Sequence, residues 1–158
     1  MSTRIYNVDL IYKGSPAIFV IQTMEDIDMA LEGEPDDPHR HNYFTLFWPY
    51  TGKGKHIIDF REYLIEPDSI FFVSPQQVHQ VILDGHPTGV VIQFTCEFLQ
   101  KYGIQEDFIS NLKLFRNCDE TPPLPVKQPM TEHLRTFTDA MLETFRSTAE
   151  FRQDAIAS

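Results

Sequence analysis

The chain has 158 residues with 42% hydrophobic and 13% aromatic content, enough for one domain with a buried core and no disulfide scaffold. Its formal net charge is −10, and its 13 Lys and Arg form no run, which excludes nucleic-acid binding by these residues through phosphate contacts. The longest apolar runs, such as SIFFVS, are far too short to cross a bilayer, and MSTRIYNVDLIYKG lacks the layout of a signal peptide.

Taken in chain order, the first part reads as short strands broken by turns. AIFVIQTM follows the Gly14–Pro16 breaker, NYFTLFWPY alternates between two faces, and TGKGK is a glycine-containing turn without the spacing of a phosphate loop. HIIDF and REYLI form a compact pair; SIFFVSP, VHQVIL and GVVIQFT complete the series. Strands this short at this spacing predict an antiparallel sandwich or barrel rather than a βαβ layout. Pro49 after Trp48 marks an edge or an irregular strand end, because proline cannot donate to a ladder.

After Thr95 the period changes. CEFLQKYG and EDFISNLKLF carry apolar residues at helical intervals, with Gly103 ending the first. TPPLPVKQP is an extended linker or a surface strap. Leu134, Phe137, Met141 and Phe145 then mark an amphipathic helix that docks either on the chain's own barrel or on a partner helix. The division expected is a barrel with short helices over 1–120, a proline-rich linker over 121–129, and a helical segment over 130–158 that stops uncapped in EFRQDAIAS.

His39 and His41 stand two residues apart at the head of an aromatic β-type run. Alternation places His39, His41, Tyr43, Thr45 and Phe47 on one face, with Phe44, Leu46 and Trp48 on the other, against a second layer or a partner. Two imidazoles on one face plus His79 from a neighbouring strand form a facial set for a divalent ion. A catalytic set of this kind adds a carboxylate; here that place holds Thr45, a poor ligand. His79 alternatively reads as a buried imidazole bonded to a backbone carbonyl, while His56, His86 and His133 read as solvated. Cys96 and Cys118 read as free thiols, Cys96 as a small buried hydrophobe rather than a reactive group, and no Ser-His-Asp or Cys-His arrangement emerges.

Counting Gly33, five residues, His39, one residue, His41, three residues, Thr45, six residues, Gly52, the spacing resembles the first cupin motif with its glutamate replaced by Thr45. The second motif is matched in spacing over Asp68–Leu83, with His79 its retained identity. Within the cupins the ordered set HRH, GKGKHIID, SPQQVHQV and GVVIQFTCEFL resembles the N-terminal sensor domain of AraC/XylS-type transcription regulators. Two turns depart from that family's pattern, Phe60 and Asp68 standing where glycine is usual.

The resemblance implies a mainly β fold, a cupin-type antiparallel barrel (jelly roll) with C-terminal helices. It implies that a small-molecule effector binds among His39, His41, Tyr43, Thr45, Phe47 and His79. It further implies a cytoplasmic homodimer formed through the helix after the barrel, and DNA contact only through a further helix-turn-helix domain. No cofactor and no catalytic residue are expected. The rival reading is a three-histidine cupin oxygenase holding Fe(II) on His39, His41 and His79; a metal-free binding cupin without a DNA partner is the third.

Overall fold

The computed structural model describes residues 6–31, 36–115 and 122–147. Strands come first: β1 (Tyr6–Val8), β2 (Ile11–Tyr12), β3 (Ser15–Pro16) and β4 (Phe19–Thr23), followed by the helix α1 (Met24–Leu31). Then come β5 (His39–His41), β6 (Phe44–Pro49), β7 (Lys53–Ile58), β8 (Arg61–Ile65), β9 (Ser69–Val73), β10 (Val78–Asp84) and β11 (Gly89–Phe94). The rest holds α2 (Cys96–Lys101), α3 (Glu106–Asn111), the two-residue β12 (Leu124–Pro125) and α4 (Met130–Arg146).

Two five-stranded sheets face each other, in the orders β1-β5-β10-β7-β8 and β12-β9-β6-β11-β4. Almost all pairings are antiparallel, the β1–β5 pair being parallel, so the expected cupin-type antiparallel barrel is what the chain forms. Side-chain alternation sorts each strand into an inner and an outer row. Between the sheets lie Phe47, Ile58, Ile65, Phe71, Val73 and Val91; outside the second sheet, Trp48, Ile70, Val90 and Ile92 are buried under the helices. Phe44 and Leu46 pack on that outer layer too, which matches the face assignment made from alternation.

Each connection follows from local chemistry. Asp59 (φ 49) and Phe60 (φ 69) join β7 to β8 in a two-residue turn with both centres left-handed, the type that suits the twist of a hairpin. Asp68 (φ 58) takes the same region at the entry to β9. Thr95 caps α2 by accepting the Phe98 N–H at 3.1 Å, and Gly103 (φ +68) follows that helix in the left-handed region. Gly54 is required for a different reason: a Cβ there would lie 2.2 Å from the Ile82 carbonyl oxygen of β10.

Several expectations need correcting. The run from His39 to Phe47 is two strands, not one: the chain bends at Asn42–Tyr43 and crosses from the first sheet to the second. β6 lies in the middle of its sheet, so Pro49 ends an interior strand and does not mark an edge. α1, which strand-like AIFVIQTM concealed, starts where Thr23 Oγ1 accepts the Asp26 N–H at 3.1 Å. Of the two readings of the proline-rich stretch, the strap is what 122–129 forms: Leu124 and Pro125 pair with Ile70 and Ser69 of β9.

α4 docks on the chain's own barrel, Phe145 meeting Phe19 and Tyr12 with ring centroids 6.1 and 5.0 Å away. Its buried row is Thr131, Thr138, Leu142 and Phe145; Phe137, placed in the stripe by its spacing, is 68% exposed. Among the described residues no helix is long and apolar enough to cross a membrane. Cys118, Gly33 and the segment EFRQDAIAS lie outside the described residues.

Candidate functional site

The candidate site forms where three strands distant in sequence, β5, β10 and β7, lie side by side in the first sheet. β10 runs antiparallel to β5, which sets His79 opposite His39, and on its other side pairs with β7, which carries His56. The turn before β10 is tied down at several points. Gln76 N–H donates to the His41 carbonyl at 2.8 Å, Ser74 N–H donates to Gln77 Oε1 at 2.8 Å, and Gln77 Nε2 donates to Asp59 Oδ2 at 2.9 Å. The second oxygen of Asp59 accepts the Val78 N–H at 3.0 Å, so the hairpin turn also positions the start of β10.

His39, His41 and His79 close a triangle in which every pair of ring centroids is 4.5 Å apart. One ring nitrogen from each lies within 4.8 Å of the others. His41 and His79 are 4% and 5% exposed, whereas the His39 side chain is 16% exposed and forms the rim. The Nε2 atoms of His41 and His79 are 3.2 Å apart. On the far side of the rings, His41 Nδ1 is 3.2 Å from Thr45 Oγ1, and His79 Nδ1 is 2.9 Å from His56 Nε2. His39 Nδ1 bonds to the Asp37 carbonyl and lies 3.4 Å from Asp36 Oδ1.

The other predicted site residues divide by depth. Tyr43 stacks on His41 at 4.3 Å with an interplanar angle of 15°. Thr45, 3% exposed, touches His41 directly. Phe47 sits one layer deeper, edge-on to His56 at 5.6 Å and 5.9 Å from Phe71. The barrel interior thus brings His39, His41, Tyr43, Thr45 and His79 together, with Phe47 as the floor.

Burial dominates the electrostatics. It holds the His41 imidazole down at about 3, with His39 and His56 adding repulsion, and His56 at about 3, with His39 adding repulsion. His79 is pushed well below its usual range by burial and then by the three neighbouring imidazoles. Burial also raises the Asp36 carboxyl, partly offset by the Val81 N–H that donates to Asp36 Oδ2 at 2.8 Å, and pushes the Tyr43 phenol up. The buried imidazoles are therefore neutral at neutral pH, the form in which histidine ligates metals.

Two residues were misplaced by sequence reasoning. His56 is not solvated but 0% exposed, because β7 begins at Lys53 and alternation turns His56 inward beside Ile58. His79 bonds to imidazoles on both sides instead of to a backbone carbonyl. Alternation along KGKHII was the available signal for His56. Asp36, three residues before His39, is turned toward it by accepting the Val81 N–H of β10. His86 and His133 are exposed, as read. Cys96 is partly buried, its thiol pushed up first by burial and then by Glu106.

The family model of the AraC-like ligand-binding domain matches residues 34–156. The chain belongs to that family. No curated protein matches it in sequence. Among solved structures it is similar to the AraC-like transcriptional activator CuxR, at 13% identity and a TM-score of 0.50, over 73% of this chain and 38% of that one. ToxT from Vibrio cholerae aligns at 13% identity and a TM-score of 0.42, over 89% of this chain and 52% of its own. YcfD, a ribosomal oxygenase from Escherichia coli solved with cobalt and 2-oxoglutarate, aligns at 18% identity and a TM-score of 0.37, over 73% and 37%. The chain spans about two fifths of CuxR and half of ToxT. At 13% identity the likeness to CuxR shows the fold alone; the family model is what makes this an AraC-like ligand-binding domain.

Proposed function

We propose that this domain binds a small-molecule effector at the His39 rim of the barrel and passes its occupancy through α4 to a DNA-binding domain in a longer protein. His39, His41, Tyr43, Thr45, Phe47 and His79 are the residues assigned to effector contact. With a net charge of −10, the domain leaves DNA contact to that other domain. Within the sensor, 1–120 is the sensing unit, 121–129 the connection and 130–158 the output segment.

The observation that carries this reading, beside family membership, is the continuity of β6. Thr45 at one end touches His41; Trp48 near the other donates its Nε1–H to Asp68 Oδ1 at 3.2 Å, and the same oxygen accepts from Arg135 of α4 at 3.1 Å. An effector shifts the regulator only by binding one arrangement of barrel and helix better than another, and β6 is physically common to both. α4 also exposes Met130 (55%) and Phe137 (68%) beside half-buried Leu134 and Met141, an alternating three-and-four seam of the kind that pairs with a second copy. A cytoplasmic homodimer built on this seam completes the proposal.

The test is a thermal-shift screen of sugars, aromatic acids and small apolar molecules, followed by hydrogen exchange with the best binder. Effector binding is expected to change protection in α4 or in the 6–16 arm; unchanged protection in both would sink the transmission scheme.

A second reading, a three-histidine oxygenase-type cupin, has the His39–His41–His79 triangle in its favour. His39, His41 and His79 would hold an Fe(II) ion that would supply dioxygen activation, and Tyr43 and Phe47 would exclude water from it. Iron-dependent oxygen consumption lost in His41→Gln supports it; reporter control by the full-length protein without turnover overturns it.

A further inference from the structure

On one flank of the barrel both sheets end in edge strands. Among the described residues β8 bonds to β7 alone and closes the first sheet, while β12 bonds to β9 alone and closes the second. Between these edges opens a cavity of about 390 Å³, lined by Arg61, Glu62 and Tyr63 of β8 and by Pro122 of the strap. That volume falls within the range of roughly 300–1,000 Å³ in which proteins hold small organic molecules. β7 stands between β8 and β10, so the cavity is separate from the His39 rim.

The lining divides into a flat apolar part and a charged lip. Tyr63 lies in the inner row of β8 as the cross-strand partner of His56, and its ring is 6.4 Å from the fully buried Phe71. With Pro122 opposite, these walls suit an aromatic ring. Arg61 and Glu62 bring opposite charges to neighbouring points of the lip. An arginine alone would select an acid and a glutamate alone an amine; the two together select a molecule that carries both charges. A zwitterion also has no net charge, so the domain's −10 does not repel it as it would an acid. Arg61 has five N–H donors, enough for more than one partner. Glu62 is held by Lys55 at 3.7 Å between side chains more than half exposed, a weak pair that a ligand ammonium can replace.

We propose that the cavity between β8 and the strap is a second ligand site, which takes a small zwitterion with an aromatic body, the chemistry of a free aromatic amino acid. Its carboxylate meets Arg61, its ammonium meets Glu62, and its ring lies between Tyr63 and Pro122. The site goes beyond the effector reading at the His39 rim and does not rest on it. It has its own path to α4. Just after Pro122 the strap bonds to β9, Val126 N–H donates to the Asp68 carbonyl at 2.8 Å, and the Asp68 carboxylate accepts from Arg135 at 3.1 Å. A ligand seated against Pro122 touches the segment that leads into the helix, and it favours whichever strap position it binds best.

L-phenylalanine, phenylpropionate and phenethylamine share one skeleton and differ in charge. Each is titrated into isotope-labelled protein, and the backbone amides are followed by NMR. L-phenylalanine is expected to shift the amides of Arg61, Glu62, Tyr63, Leu124 and Val126, to leave those of His39 and His41 in place, and to bind at least about tenfold tighter than either analogue. Arg61→Gln should bring L-phenylalanine down to the level of the amine, and Glu62→Gln down to that of the acid. A merely structural role of either residue would not exchange these preferences, and both side chains are exposed, so the variants fold. Absence of shifts with all three probes, shifts confined to the His39 rim, an analogue that binds as tightly as L-phenylalanine, or an Arg61→Gln variant with undiminished preference each overturns the site. An effector response at the His39 rim would survive any of these results, so the two readings fall separately.

Discussion

Asp68 and Arg135, 67 residues apart in sequence, meet at 3.1 Å and join the barrel to α4. The carboxylate oxygen that Arg135 binds also accepts the Trp48 indole N–H. The backbone of Asp68 donates to the Pro49 carbonyl at 2.9 Å and accepts the Val126 N–H of the strap at 2.8 Å. Arg135 in turn lies over the Tyr50 ring at 4.3 Å, and Tyr50 Oη is 3.0 Å from Thr138 Oγ1. One left-handed turn residue thus gathers β6, the strap and the helix.

Asp68→Gly removes the carboxylate while keeping a residue that tolerates the positive φ. Because Arg135 and Asp68 are 39% and 29% exposed, the ion pair is partly screened, and the expected loss is only about 1–2 kcal/mol. Hydrogen exchange should show α4 amides losing protection while the barrel strands keep theirs. Wild-type protection throughout α4 would remove this contact from any transmission route.

The two faces of α4 should answer differently to substitution. Leu142, 8% exposed against the barrel, is expected to cost about 2–4 kcal/mol as Leu142→Ala, read from urea midpoints. Phe137→Glu, on the open face, should change monomer stability by less than about 0.5 kcal/mol yet weaken self-association at least about tenfold in sedimentation. Equal association of wild type and Phe137→Glu, or no association of either, would remove α4 as the proposed dimer seam.

Acid should unfold the metal-free domain through its buried histidines. His41 and His56 have folded pKa values lowered to about 3, so between the unfolded value of 6.5 and that level the unfolded chain binds protons that the folded one refuses. Stability is fully present above 6.5 and is lost as pH falls below it, by up to about 1.4 kcal/mol per pH unit for each histidine. Urea midpoints from pH 7.5 to 5 should show this slope, and His41→Gln should remove about one proton's worth of it. A flat profile across that range would contradict the burial of these rings.

Phe60 is held at φ 69 with its side chain 79% exposed. Phe60→Gly relieves the left-handed strain and is expected to stabilise the hairpin by about 1 kcal/mol, or a few degrees in Tm. A lower Tm in the variant would mean that the ring packs against something that the exposed position does not suggest.

Much of the architecture was legible because it rests on local periodicity. Alternation along NYFTLFWPY placed Thr45 and Phe47 inward and Phe44, Leu46 and Trp48 outward, and the change of period after Thr95 located α2 and α3. The HRH pair and its partnership with His79 were likewise readable, since spacing and turn chemistry put them on neighbouring strands. Phe137 lies off the barrel because a stripe of apolar residues at steps of three and four is wide enough to serve two faces. The helix turned Thr131, Thr138 and Leu142 to the barrel and left Phe137 outside.

The pattern of polar and apolar residues was enough for the strands, their inner and outer rows and the family of the fold. It could not say which inner rows would meet. His56 stands behind His79, and Asp36 behind His39, because β7, β10 and the segment before β5 are drawn together by pairings between residues 23 to 45 positions apart in sequence. Periodicity reports the direction a side chain points from its own strand. The neighbour it finds there depends on sheet order and register, which are long-range properties, and so the ordered shell around the histidines emerges only when the barrel closes.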